Sequence, residues 1–323
     1  THEIFRLGIR KLLPEQVELI SGPGCPVCVT QVGFIDEAIY LALERQVTIC
    51  TFGDLVRVPG TNMSLAGARE RGAKIRIVYS PVDAKEYAKE HPKEQVTFLS
   101  VGFETTTPSA CLSVKKAREE GLTNYSILTA NKTMPQAYEA LKGSADIFLY
   151  PGHVNAITGT KLCEELAKEG VSGVVAGFTA KELLTALAVA LARFQEGRPF
   201  FVNCYPRVVT ENGSPQAQKL VEEMMEPCDS EWRGLGVIKG SGMRLQEEWS
   251  AFDARKKYKI PSIQGKANPA CRCGDVLQGK CKPSDCKVFG KVCTPQHPIG
   301  ACMVSGEGAC SAYYMYGEAE KMK

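Results

Sequence analysis

At 323 residues and 35.2 kDa the chain is long enough for about two or three structural units around a sizeable core. With 44% hydrophobic and 23% charged residues it has ordinary globular composition, which excludes a disordered chain. The net charge of +3, from 39 basic and 36 acidic side chains, gives no general attraction to nucleic acid or to a membrane surface. The longest apolar run, Leu183 to Ala192, stops at Arg193 and is far short of the ~20 residues a spanning helix needs.

Short β-rich runs alternate with helical patterns. Strands are expected at Val17–Ser21, Val47–Phe52, Ile75–Tyr79, Val96–Val101, Ser126–Ala130, Ile147–Tyr150, Val174–Ala176 and Phe200–Val202. Helices are expected at Phe34–Arg45, Ala84–His91, Pro108–Glu120, Pro135–Leu141, Lys161–Lys168 and Lys181–Gln195, the last apolar around most of its circumference and so well buried. This alternation predicts an α/β protein with parallel sheets covered by helices. His91-Pro92 reads as a break between two α/β units, and the glycine-rich run Gly234 to Gly242 as a second boundary. The expected domains are therefore 1–92, 93–235 and 236–323, the last loop-rich.

Glycine-bearing turns follow the expected strands: Gly22-Pro23-Gly24-Cys25-Pro26-Val27-Cys28, Gly53-Asp54, Gly102 to Pro108, Pro151-Gly152-His153-Val154 and Gly177-Phe178. In open α/β sheets the ligand crevice lies at the carboxyl ends of strands, and glycines there let the backbone approach a ligand closely. Any one such turn is ordinary; their clustering with Cys, His and Glu is not. Thr107 before Pro108 reads as a helix N-cap, which explains part of that run but not Glu104. His153 suits a base, a metal ligand or a hydrogen-bonding group, and alone a structural role is the commoner one.

Cysteine is the unusual residue: 14 in all, seven of them between Cys271 and Cys310. No secretory leader pattern is visible in a chain that opens at Thr1, and a core of this size needs no disulfides, so a reducing cytoplasm is the expected setting. Cys25 and Cys28 form a C-x-x-C pair after a strand. A following helix would lower the first thiol's pKa. The first reading is a dithiol/disulfide couple, the others half a metal site or inert cysteines. The block Cys271, Cys273, Cys281, Cys286, Cys293, Cys302 and Cys310 lacks zinc-finger spacing. It reads as an iron–sulfur site before zinc or disulfides.

These motifs together resemble those of the HypD family of [NiFe]-hydrogenase maturation factors. The likeness runs through GPGCPVC at 22–28, GFETTTP at 102–108, PGHV at 151–154, VAGF at 175–178, CRCG at 271–274, CTP at 293–295, CMVS at 302–305 and EGAC at 307–310. It implies two related α/β domains and a [4Fe-4S] cluster domain. It also implies a scaffold that assembles an iron with two cyanides and one carbon monoxide, working with a HypC-type chaperone and a HypE-type cyanide donor. The hydrogenase large-subunit precursor is the final recipient. By resemblance the cluster ligands are Cys271, Cys286, Cys293 and Cys310, Cys273 and Cys302 are left as a thiol pair or disulfide, and only one of Cys271 and Cys273 binds. His2 and Glu3 match the end of the family's iron-binding motif, whose cysteine would precede Thr1 and is absent here, so the first domain is expected to be N-terminally incomplete. His153 and Glu104 are expected to line the same crevice. A stand-alone iron–sulfur oxidoreductase and a zinc-stabilised interaction module are the rival readings.

Overall fold

The computed structural model describes residues 1–317. Nine strands form two sheets. The larger has the order β2 (Ile75–Ile77), β1 (Thr48–Thr51), β3 (Val96–Gly102), β4 (Tyr125–Lys132), β9 (Gly236–Leu245), β8 (Met225–Trp232). The smaller runs β5 (Phe148–Pro151), β6 (Gly173–Ala176), β7 (Phe201–Asn203). Strands β3 and β4 are buried along their whole length and pair in parallel from Val96↔Tyr125 to Gly102↔Asn131. Even the polar residues they carry, such as Thr97, Ser100, Ser126 and Asn131, are therefore buried. Helices Pro81–Glu90 and Thr107–Glu119 cover them and share one apolar cluster with Phe98, Tyr125 and Ile127.

The α/β expectation holds, with several differences. The larger sheet is mixed, because β9 joins β4 antiparallel and β8 pairs with β9 antiparallel. The glycine-rich run at 234–242 is thus one turn and one arm of a hairpin, not a linker. Its glycines serve tight turning (φ +82° at Gly234, +81° at Gly236) and close packing. The break expected at His91-Pro92 ends a helix but divides no sheet, since β1 and β2 on one side pair in the same sheet as β3 on the other. Val17–Ser21 is not a strand: among the described residues no strand pairs with it. The helix at Ala180–Phe194 buries Leu183, Ala186, Leu187 and Ala190 only, and Leu184 stays exposed, so it is amphipathic rather than buried all round. The cap before Pro108 is Thr106, with Thr107 the first helical residue.

From 270 onward regular structure is short: Cys273–Leu277, two single 3-10 turns and the helix Ala309–Tyr316. This block does not float free. The helix Ala309–Tyr316 lies on the helix His2–Arg6, with Phe5 edge-on to Tyr313 at 5.7 Å. Arg57 donates to the Pro295 carbonyl at 2.7 Å. Gly234 and Gly274 cross backbone to backbone so closely that a methyl group on Gly274 would lie 2.6 Å from the Gly234 Cα. Gln278 Nε2 then donates to the Gly234 carbonyl at 2.7 Å.

This crossing makes a direct prediction. Gly236 has the same left-handed backbone as Gly234 but open space around it. Gly236→Ala should cost only the conformational penalty, about 1–2 kcal/mol. Gly234→Ala adds a backbone clash and should cost about 2–4 kcal/mol. Equal midpoints for the two variants in chemical denaturation would contradict the crossing.

Candidate functional site: a buried run of cysteines beside a cleft

Cys25 takes an extended backbone conformation and caps the short helix Pro26–Val29. Pro26 supplies the fixed φ of a first helical residue. The turn brings the Cys28 amide to Cys25 Sγ at 3.3 Å, and both side chains are buried. Burial pushes the Cys28 thiol well above its ordinary pKa; the contact with Cys25 adds to this and a contact with Cys302 opposes it. Cys28 therefore rests as a protonated thiol inside the protein.

Cys302 is fully buried and touches both Cys28 and Cys273. Cys273 in turn contacts Cys310, and Cys271 Sγ lies 3.1 Å from Cys273 Sγ. Cys293 faces this group and accepts from the Ile299 amide at 3.4 Å. Sulfurs thus follow one another from Cys25 through Cys28, Cys302 and Cys273 to Cys271 and Cys310. Contact with Cys273, then burial, raises the thiols of both Cys271 and Cys310. Gly300 lies over Cys271 and Cys273; a Cβ there would stand 2.5 Å from Cys273 Sγ. Cys286 stays outside the buried group, at the rim, with its sulfur 3.8 Å from the carbonyl of Ala270, the residue before Cys271. Cys281 lies within electrostatic reach of Cys286 and Arg272.

The structure therefore gathers Cys271, Cys293 and Cys310 with Cys273 and Cys302, and sets Cys286 at the edge. Among the described residues no three Cys, His, Asp or Glu side chains converge on a single ion position. A cubane asks for something else, four thiolates spread around its corners with one on each iron.

The second feature is a cleft of about 520 Å³ at the carboxyl edge of the smaller sheet. His153 follows β5, Gly177 and Phe178 follow β6, and Tyr205 and Arg207 follow β7; Glu3 and Arg6 of the first helix form the facing wall. Two ion pairs flank it, Glu3–Arg6 at 2.5 Å and Glu182–Arg207 at 2.6 Å. The His153 ring packs 5.1 Å from Phe178, and crowding in the cleft lowers its pKa against the pull of Glu307. Thr1 lies within electrostatic reach of Glu307, Arg10, Glu3 and Cys25, which joins the cleft to the cysteine run.

Of the residues expected in one crevice, His153 and Glu3 share this cleft; His2 and Glu104 do not line it. His2 turns away, with Nδ1 2.9 Å from the Gly306 carbonyl and its ring edge-on to Tyr316. Glu104 is buried. Its Oε1 accepts from the Met134 amide at 2.7 Å, while Oε2 and the nearby Tyr138 hydroxyl have no hydrogen-bond partner among the described residues. Sequence reasoning gave no sign of Tyr138, of the Glu182–Arg207 pair, or of the Cys28–Cys302 contact, which joins opposite ends of the chain.

Burial raises the Glu104 carboxyl from an ordinary 4.5 to about 7, against two backbone hydrogen bonds. The folded chain then binds more protons than the unfolded chain between these values. Stability from this group is present below pH 4.5 and is lost as the pH rises toward about 7, by up to about 3 kcal/mol. Glu104→Gln should flatten that loss, raising stability at about pH 8 relative to the parent more than at about pH 5. Denaturation curves at the two pH values measure it; parallel losses in parent and variant would contradict the assignment.

The comparisons with known proteins agree along the whole described chain. Residues 1–317 match the family model HypD, described as the hydrogenase formation hypA family. The chain is 42% identical to the hydrogenase maturation factor HypD of Cupriavidus necator, covering 98% of this chain and 87% of that protein. It is 43% identical to the HypD of Rhizobium leguminosarum bv. viciae, over 98% and 86% of the two chains, and 42% identical to that of Escherichia coli K12, over 99% and 87%. The chain belongs to the HypD family of hydrogenase maturation factors.

Proposed function

We propose that this chain is a cytoplasmic scaffold on which the Fe(CN)2CO unit of [NiFe]-hydrogenases is assembled, with a HypC-type chaperone and a HypE-type cyanide donor as partners. The iron and its diatomic ligands are cargo, destined for a hydrogenase large-subunit precursor. The observation that carries this reading is the unbroken run of cysteines from Cys25 to Cys310, opening beside the cleft that holds Glu3 and His153.

The donor set fits a resident [4Fe-4S] cluster. The C-terminal sulfurs are crowded, mutually hydrogen-bonded and acceptor-rich, and glycine at 300 leaves room against Cys271 and Cys273 that any side chain would fill. Cys271, Cys286, Cys293 and Cys310 would hold the cluster. Cys286 already lies beside the segment that carries Cys271. When bound, the cluster supplies single electrons at low potential.

The remaining thiols do two-electron chemistry. A disulfide between Cys273 and Cys302 is open to attack by the Cys28 thiolate on Cys302 Sγ, which frees Cys273 and leaves a mixed Cys28–Cys302 disulfide. Cys25 then attacks Cys28 Sγ, giving the Cys25–Cys28 disulfide and releasing Cys302. Two thiols and one disulfide enter, two thiols and one disulfide leave, and the electron pair has moved between the cluster block and the cleft. The high pKa of Cys28 keeps that thiol protonated and idle until a base or a charge change draws the proton away.

Two experiments test this. The anaerobically prepared protein, bound to its chaperone, should show cyanide and carbon monoxide stretches in the infrared. A complex with a full cluster but without those bands would overturn the scaffold reading. The second experiment is Cys302→Ser. It should keep iron and sulfide near the parent level, while thiol trapping finds Cys25 and Cys28 cut off from exchange with Cys273. Loss of all iron from this variant would instead make Cys302 a ligand.

A further inference from the structure

Arg233 lies in the hairpin turn between β8 and β9. Two sets of contacts fix where that turn sits. On one side the Arg233 amide donates to the Val29 carbonyl at 2.8 Å, and Arg233 Nε donates to the Thr30 carbonyl at 2.8 Å. Thr30 and Trp232 also form an isolated antiparallel bridge. These bonds hold the segment that carries Cys25 and Cys28. On the other side Gly234 is pressed against Gly274, and Gln278 donates to the Gly234 carbonyl. Those contacts hold the segment that carries Cys271 and Cys273. The turn is a wedge between the two cysteine-bearing segments, and Arg233 is the cation on it.

Its side chain is incompletely used. Nε is bonded, but Nη2 is shielded from solvent and has no hydrogen-bond partner among the described residues. No carboxylate pairs with it there. A guanidinium arm buried without a partner is costly, and such an orphan calls for a missing acceptor. The Cys271 sulfur lies within its electrostatic reach, with no hydrogen bond between the two among the described residues. Thiolates and sulfides of an iron–sulfur centre are anionic acceptors that would complete the guanidinium. Arg272, the neighbouring cation, is paired with Asp275 at 2.9 Å, lies toward Cys281 and Cys286, and leaves no buried nitrogen unsatisfied among the described residues.

We propose that Arg233 is the counter-charge of the iron–sulfur centre: in the loaded protein its free guanidinium arm is matched by the anionic sulfur at Cys271 and thereby tunes the reduction potential of the cluster, while its Nε holds the Cys25–Cys28 segment in line with it. The inference rests on the cluster reading above. Net charge and hydrogen bonds to sulfur are among the main controls of iron–sulfur potentials. Reduction adds one negative charge next to Arg233, so the cation favours the reduced form. Arg233 is a positioning residue here and touches no cargo.

The test uses the full chain loaded with its cluster, titrated with dithionite in the presence of mediators and read by electron paramagnetic resonance. Arg233→Gln removes the charge, and its midpoint should move to more negative potential. Arg233→Lys keeps the charge and should stay closer to the parent. Iron and sulfide are measured on every sample. A parent protein that takes up no cluster under anaerobic reconstitution overturns the cluster reading itself. Loaded variants that both keep the parent midpoint, or that shift together, overturn the role of Arg233 while leaving that reading intact. A measurement without loss of Arg233 covers a Gln variant that fails to fold. Arginine labelled with 15N only in its guanidino group is incorporated into an Arg272→Lys background. The reduced cluster should then show a 15N coupling in pulsed spectra, and its absence overturns the proposal.

Discussion

The antiparallel closure of the larger sheet is the constraint on which the rest depends. Strand β4 is the last parallel strand, and the β8–β9 hairpin docks on its edge through Asn131↔Met243 and Lys132↔Gly242. Lys132 fixes this edge. Its Nζ is buried and donates to Ser230 Oγ at 2.6 Å and to the Glu231 carbonyl at 2.7 Å, over the face of Trp232. Burial pulls its pKa down to about 7. Trp232 is fully buried, bonded through Nε1 to Ser241 at 2.7 Å and stacked on Phe103 at 5.9 Å. With both neighbours fixed, the turn 233–235 has one place to go, and that place is between the two cysteine-bearing segments.

Seen this way, the mixed sheet is not an incidental departure from a parallel one. A purely parallel sheet places its crossover helices on the faces and leaves its last edge open. Here the β4 edge is covered by a hairpin whose turn lies between the two cysteine-bearing segments. The sheet core and the cysteine run share one apolar cluster, in which Cys28, Phe103, Trp232, Cys273, Cys302 and Cys310 all take part. Positional precision at the sulfurs is therefore inherited from the sheet rather than from the loop-rich block itself.

What could be read in the sequence follows from the range of the forces involved. Strands β1 to β7 and the helices Val32–Glu44, Pro81–Glu90, Thr107–Glu119, Met134–Ala140, Lys161–Lys168 and Ala180–Phe194 showed themselves through local patterning, to within a few residues, whereas Leu65–Glu70, Gly152–Thr158 and Pro215–Met224 did not. The hairpin did not. Its glycines at 234, 236, 240 and 242 carry no hydrophobic period, and glycine serving a tight turn looks the same as glycine in a linker. Val17–Ser21 showed the reverse: a strand-like composition without a neighbouring edge to pair with. At the site, the cysteines, His153 and Glu104 stood out by type, but chemistry type says nothing of neighbourhood. That Cys302 sits between Cys28 and Cys273, and that Glu104 faces inward rather than into the cleft, are consequences of tertiary packing alone.

The electrostatics of the cysteine run also explain why the block should be sensitive to what it holds. Buried thiols packed against one another favour the protonated form, since each ionisation would place a charge in a poorly solvated space beside other sulfurs. On the cluster reading proposed above, ligation would exchange those protons for metal charge, so that binding and proton release would be coupled. The same exchange changes the surroundings of Arg233. With protonated thiols the guanidinium arm has a neutral neighbour; with thiolates it has an anionic one. On that proposal the cation poorly served in one state is matched in the other, and its bonds to the Val29 and Thr30 carbonyls tie it to the segment that carries Cys25 and Cys28.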